Sequence, residues 1–102
     1  MRQGTTPTFE FELEEQIDVA RVANAKVTFS FNGQVILEKY LSDCTFDGKV
    51  LTVCLSQEDT FLFVCHSNVK IQLRIVTIEG EAYASDEFND FVDRCLDDEV
   101  LT

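Results

Sequence analysis

Between Val69 and Gly80 the chain reads VKIQLRIVTIEG, in which Val69, Ile71, Leu73 and Ile75 alternate with Lys70, Gln72 and Arg74. A pleated strand sends successive side chains to opposite faces, so this spacing gathers four branched aliphatics on one side. No helical register does the same. The pattern predicts the central strand of an antiparallel sheet, with one face against a core and the other in water. The bases and the amide on the wet face need solvent or an acidic neighbour.

The same reading extends along the chain. TPTFEFEL (Thr6–Leu13) alternates Phe9, Phe11 and Leu13 with Glu10 and Glu12, which predicts a half-exposed strand, and Pro7 near its start suits a sheet edge. Residues 14–24 break the alternation, and a short helical turn near 17–22 is expected in a crossover between sheets. AKVTFSF (Ala25–Phe31) resumes period two, and Asn32-Gly33 is the strongest hairpin signal present. A three-residue loop, Phe31 to Gly33, is expected there. It sets Phe29 opposite Val35 and Val27 opposite Leu37, which keeps one face apolar, whereas a two-residue loop sets Val27 opposite Glu38. Asp47-Gly48 marks a second hairpin between CTF and KVLTVCL. Ser56, with acids at Glu58 and Asp59, predicts a capped helical turn near 57–60. Phe61 and Phe63 resume alternation, and His66-Ser67-Asn68 turns the chain into the central strand.

Residues 85–96 admit two readings. A helix capped by Ser85 aligns Phe88, Phe91, Val92, Cys95 and Leu96 in one stripe. A strand instead places Phe88 and Val92 on one face and returns beside the central strand through the turn at Glu79-Gly80-Glu81, and topology favours this choice. The tail LDDEVLT is expected to be ordered only by what it docks on. About seven short strands, with turn signals at roughly 8–12-residue spacing, predict one all-β domain over residues 1–102, an immunoglobulin-like antiparallel β-sandwich. The Trp of antibody domains is absent.

Charge narrows the partners. Nineteen acids against eight bases give a net charge of −11, which repels phosphate backbones and disfavours nucleic acid. Attraction to a basic protein surface is compatible with it, as is the simpler role of keeping a Phe-rich β-protein soluble. No apolar run approaches the ~20 residues of a membrane span. The N-terminus lacks the apolar core and small-residue cleavage site of a signal peptide, so a soluble product made inside the cell is expected.

Candidate chemistry is sparse. Cys44, Cys54, Cys65 and Cys95 fit no zinc spacing, and buried free thiols are the expectation. Cys65 and His66 are adjacent, so a regular strand points them to opposite faces and they cannot share a metal ion. His66, the only histidine, reads as a solvated turn residue. Nucleotide-binding and zinc-protease motifs are missing, and the acids between Asp86 and Glu99 lack the spacing of a calcium loop. No catalytic, cofactor-binding or metal-binding residue is assigned, and the chain is expected not to be an enzyme. The candidate interaction edge is Thr8, Phe9, Glu10, Phe11 and Glu12, where another chain could add a strand; an ordinary edge strand protected by its charges is the plainer reading of the same residues. A carbohydrate- or calcium-binding sandwich module is the alternative, although the chain has no Trp and only two Tyr for sugar stacking.

The opening Met1-Arg2-Gln3-Gly4-Thr5-Thr6-Pro7-Thr8, with the FEFEL strand behind it, resembles the start of small prophage-encoded proteins of Gram-positive bacteria. It is similar, more distantly, to the N-terminal domain of siphophage baseplate upper proteins. AKVTFSFNG, LSQEDTFLF, VKIQLRI, AYASDEF and RCLDDEVL extend the resemblance in order along nearly the whole chain. It implies an immunoglobulin-like sandwich with a structural or assembly role in a phage tail or baseplate. The implied partners are proteins, including other virion components or copies of itself. The implied location is the bacterial cytoplasm on synthesis and then the virion. The chain is expected to end near the domain's end without a receptor-binding extension, so chaperone, decoration and orphan prophage-remnant readings stand beside the baseplate one.

Overall fold

The structure is a computed structural model describing residues 1–102. Its strands are β1 (Thr8–Glu12), β2 (Val22–Phe31), β3 (Gln34–Tyr40), β4 (Cys44–Asp47), β5 (Val50–Cys54), β6 (Asn68–Thr77), β7 (Ala82–Ala84) and β8 (Phe88–Phe91). A single helical turn, α1 (Gln57–Phe61), and two 3₁₀ turns, Val19–Arg21 and Leu41–Asp43, complete it. The strands form two antiparallel sheets. The smaller has the order β1-β5-β4; in the larger, β3-β2-β6, the far side of β6 pairs first with β8 and then with β7. The dimensions, 46 × 30 × 17 Å, fit two sheets stacked at about 10 Å with side chains between them.

The period-two strands supply the core. Val69, Ile71, Leu73 and Ile75 of β6 are all buried, as are Ala25, Val27 and Phe29 of β2, which β6 meets with Ile71 opposite Phe29 and Leu73 opposite Val27. Phe11, Leu51 and Val53 face them from the smaller sheet. Phe29 sits at the centre, edge-on to Phe9 at 5.6 Å and tilted against Phe63 at 5.7 Å between ring centroids. This is an all-β sandwich, with eight strands rather than about seven.

The expected departures from alternation at both helical positions are present. Asp18 accepts a hydrogen bond from the Ala20 amide and starts the first 3₁₀ turn. Ser56 caps α1: its hydroxyl accepts from the Asp59 amide, while the Asp59 carboxylate accepts from the Ser56 amide at 2.9 Å. Asp59 also pairs with Lys39 of β3 at 2.9 Å, tying α1 to the larger sheet. Burial alone would raise the Asp59 pKa, but the Ser56 amide and Lys39 ammonium outweigh it and hold the carboxyl below its usual value. A folded-state pKa below the unfolded one contributes stability that is present above the unfolded pKa and lost as pH falls through the folded one. The stability difference between wild type and Asp59→Asn should therefore be largest near neutrality and shrink below about pH 4. Urea midpoints across the acid range would show this; a difference independent of pH would remove Asp59 from the acid response.

Four expectations need correction. The first hairpin uses a two-residue turn, with Asn32 and Gly33 both at positive φ (51° and 75°) and Phe31 opposite Gln34. A bulge between Ser30 and Phe29 then inserts Ile36, so that Phe29 meets Leu37 and Val27 meets Lys39. Neither simple register occurs: one extra residue shifts the pairing without lengthening the turn, which sets Leu37 beside Phe29 and leaves Lys39, opposite Val27, to pair with Asp59. Phe61 ends α1, and Phe63, though buried, lies outside any strand. The C-terminal return is strand rather than helix, but it is split into β7 and β8, and Leu96 projects into solvent at 96% exposure. Finally, no cysteine is buried: all four are free, Cys54 is exposed, and the others are half-buried. Cys54 follows Val50 and Thr52 on the outward face of β5, since Leu51 and Val53 take the inward one.

Candidate functional site

The two sides of the sandwich differ. On one, the chain passes from β3 into β4 through the 3₁₀ turn Leu41–Asp43, which joins the two sheets. There β3 and β4 are the terminal strands; on the other side β1 ends the smaller sheet and the β7–β8 margin ends the larger one, with no turn of chain joining the two strand ends directly. The predicted interaction edge lies here. Phe11 is buried, Phe9 half-buried, and Thr8, Glu10 and Glu12 are exposed.

The backbone of β1 is polarised in the same way. The Leu13 amide donates to Lys49 and the Leu55 amide donates to Pro7, and with Phe9 opposite Val53 and Phe11 opposite Leu51 the odd-numbered residues bond to β5. In an antiparallel ladder the alternate residues then turn their N–H and C=O groups outward. Thr8, Glu10 and Glu12 thus present donors and acceptors along an open edge. No turn, loop or side-chain hydrogen bond engages those groups.

A groove of about 360 Å³ runs beside this edge. It is lined by consecutive residues from Glu10 to Glu14; because side chains alternate, such a void follows the margin of the strand, not one face of it. Its floor is apolar: Leu73 and Ile75 of β6 lie beneath, Ile17 closes one end, and the rings of Phe11 and Phe88 meet at 5.5 Å between the sheets. The far wall is Tyr83, Ser85 and Asp86. Ser85 fixes that wall where β7 gives way to β8: its amide donates to the Leu73 carbonyl, its hydroxyl accepts from the Leu73 amide, and its carbonyl accepts from Gln72. At the Ile17 end, the Lys49 ammonium donates to the Glu15 and Ile17 carbonyls at 2.6 Å each and secures the crossover loop.

The electrostatics of the groove have one sign. Glu10, Glu12, Glu14 and Asp86 line it and no Lys or Arg does. None of these four carboxylates belongs to any of the chain's ion pairs. Desolvation first, then the Glu81 carboxylate that accepts its hydrogen bond, and to a lesser extent Glu14 of the groove, push the Tyr83 hydroxyl above the usual tyrosine pKa.

The remaining sequence candidates are dispersed. His66 is exposed in its turn at φ 60°, its ring 6.4 Å from that of Phe91. Among the C-terminal acids, Asp90 accepts from the Met1 amino group at 3.0 Å and Glu87 approaches Lys70 at 3.9 Å. No three His, Cys, Asp or Glu side chains converge as a metal-holding group. On the outer face of the larger sheet, Lys26 stands directly opposite Arg74. Lys26 is compensated by Glu38 at 2.6 Å, a contact that raises the lysine pKa and lowers the glutamate one.

The Phe/Glu alternation announced one wall of the groove. The other wall, from Tyr83 to Phe88, carries no local signal beyond the break in alternation at Ser85. No helix is long and apolar enough to cross a membrane. Comparison with protein-family models, with curated proteins and with solved structures gave no match. Fold and site together define a class, an all-β sandwich with an acidic, unpaired edge at β1.

Proposed function

We propose that this protein is a non-enzymatic structural or assembly component of a phage-like particle, of the tail or baseplate kind, and that it works by protein–protein contact at the β1 edge. The observation that carries the contact is the juxtaposition of outward-facing backbone groups at Thr8, Glu10 and Glu12 with an apolar groove. Such an edge templates pairing with another strand, and the charges of Glu10 and Glu12 guard it against like-charged or apolar strands while leaving it open to a complementary one. The phage setting rests on the sequence resemblance, which implies synthesis in a bacterial cytoplasm and transfer to a virion. Pairing two copies antiparallel through β1 would bring Glu10 and Glu12 against acids of the second copy, so this edge suits a different protein better than a homodimer.

A photo-crosslinking residue at position 12, introduced in the native host, tests the reading. Crosslinks should form to an identified structural protein of the particle. Glu10→Pro should abolish them while retaining the wild-type melt, because proline at 10 removes an outward N–H and no ladder bond. A folded, expressed chain that gives no crosslink from position 12, or crosslinks undiminished by Glu10→Pro, would sink the proposal.

A further inference from the structure

The chemistry of the groove specifies what enters it, an inference that rests on the edge-contact reading above. We propose that the groove receives, as a strand added to β1, an extended segment of a protein partner with Lys or Arg at alternate positions and apolar residues between them. Three independent features converge on that occupant. The open backbone of Thr8, Glu10 and Glu12 requires an extended chain, since only a strand matches donors and acceptors at every second residue. Such a strand turns alternate side chains inward, over Leu73, Ile75 and Phe88, and that floor accepts apolar groups. Its other side chains lie beside Glu10 and Glu12 on the exposed face, with Glu14 and Asp86 near the ends, and all four carboxylates lack a cationic partner within the chain. Opposite charges at neighbouring cross-strand positions stabilise a pair and like charges oppose it.

A second copy of the chain does not meet this description. Its own edge carries Glu where the pattern needs a base, and the net charge of −11 opposes association at low salt. Its one alternating basic strand, β6, is already paired on both sides. The occupant is therefore a separate, basic strand.

The test uses the full chain and three capped peptides in which Val alternates with Lys, with Thr or with Glu, measured by fluorescence anisotropy at low and high salt. The Lys peptide should bind at least about tenfold more tightly than the Glu peptide, and this preference should shrink as salt screens it. N-methylation of every second amide should abolish binding in one parity and leave it nearly unchanged in the other, because only one set of amides faces β1. The double variant Glu10→Lys/Glu12→Lys should reverse the order and favour the Glu peptide. Equal binding of all three peptides, with the parity effect intact, would overturn the basic partner but leave the open edge as the contact. Binding of the Lys peptide without a parity effect would overturn strand addition. Failure of every peptide to bind would overturn the inference and count against the edge reading itself.

Discussion

Phe29→Ala should destabilise the protein by about 3–5 kcal/mol, the range for removing a fully buried ring. Phe29 has no exposed surface. Phe9 approaches it from the smaller sheet and Phe63 from the chain after α1, while Ile71 and Leu37 flank it across its own sheet. These neighbours belong to both layers, and the strands that carry two of them are fixed in register by ladder bonds on either side of β2. The layers cannot close on the vacated volume without breaking those pairings, so the cavity persists. For a domain whose total stability is on the order of 5–15 kcal/mol, the loss should lower the melting temperature by more than about 10 °C. Urea denaturation should show a lower midpoint with unchanged slope. Leu62, more than half exposed, provides the contrast: Leu62→Ala should stay within about 0.5 kcal/mol of wild type. Similar losses for the two variants would mean that Phe29 is not the centre of the core.

That centre was legible in the sequence because period two is a local property. Val69 to Ile75 needed no knowledge of their neighbours to declare a buried face, and the same holds for Val27 and Phe29. The partner of each residue was less legible. The Asn32-Gly33 signal located the hairpin, but apolar continuity suggested a longer loop, whereas the chain keeps the tight turn and bulges at Ile36. A bulge is invisible to any count that assumes strict alternation, since it changes the parity of a strand halfway along. The C-terminal return was legible as strand but not in its division, for a related reason. Its strand character followed from topology, but its division at Ser85 depends on hydrogen bonds to Leu73, twelve residues earlier. For the candidate site the division is similar. Glu10 and Glu12 alternating with Phe9 and Phe11 mark an exposed edge from sequence alone. The groove exists only once Tyr83, Ser85 and Phe88 are brought opposite that edge.

Thr60→Val should cost about 2–3 kcal/mol although it preserves shape and adds no cavity. Thr60 is fully buried on α1, and its hydroxyl joins the N-terminal segment to the helix. It accepts from the Gly4 amide at 2.9 Å and lies within donating distance of the Thr5 and Gln57 carbonyls, at 3.0 and 3.1 Å. Valine leaves the Gly4 amide and the Thr5 carbonyl facing a methyl group. The segment has little freedom to find other partners. Gly4 holds φ at +77°, a conformation that disfavours other residues, and the Phe61 ring lies against it, within 2.7 Å of where a Cβ would sit. Residues 1–3 in turn bond to the chain after β8, through Gln3 to the Asp93 carbonyl and the Asp93 amide to Met1. Loss of the Thr60 hydroxyl should therefore speed hydrogen exchange first at Gly4, Gln3 and Asp93, before the β2 and β6 amides respond. Thr60→Ser keeps the hydroxyl and loses one methyl, and should cost only about 1 kcal/mol with exchange at Gly4 unchanged. If serine and valine destabilise equally, packing rather than the hydroxyl holds the N-terminal segment in place.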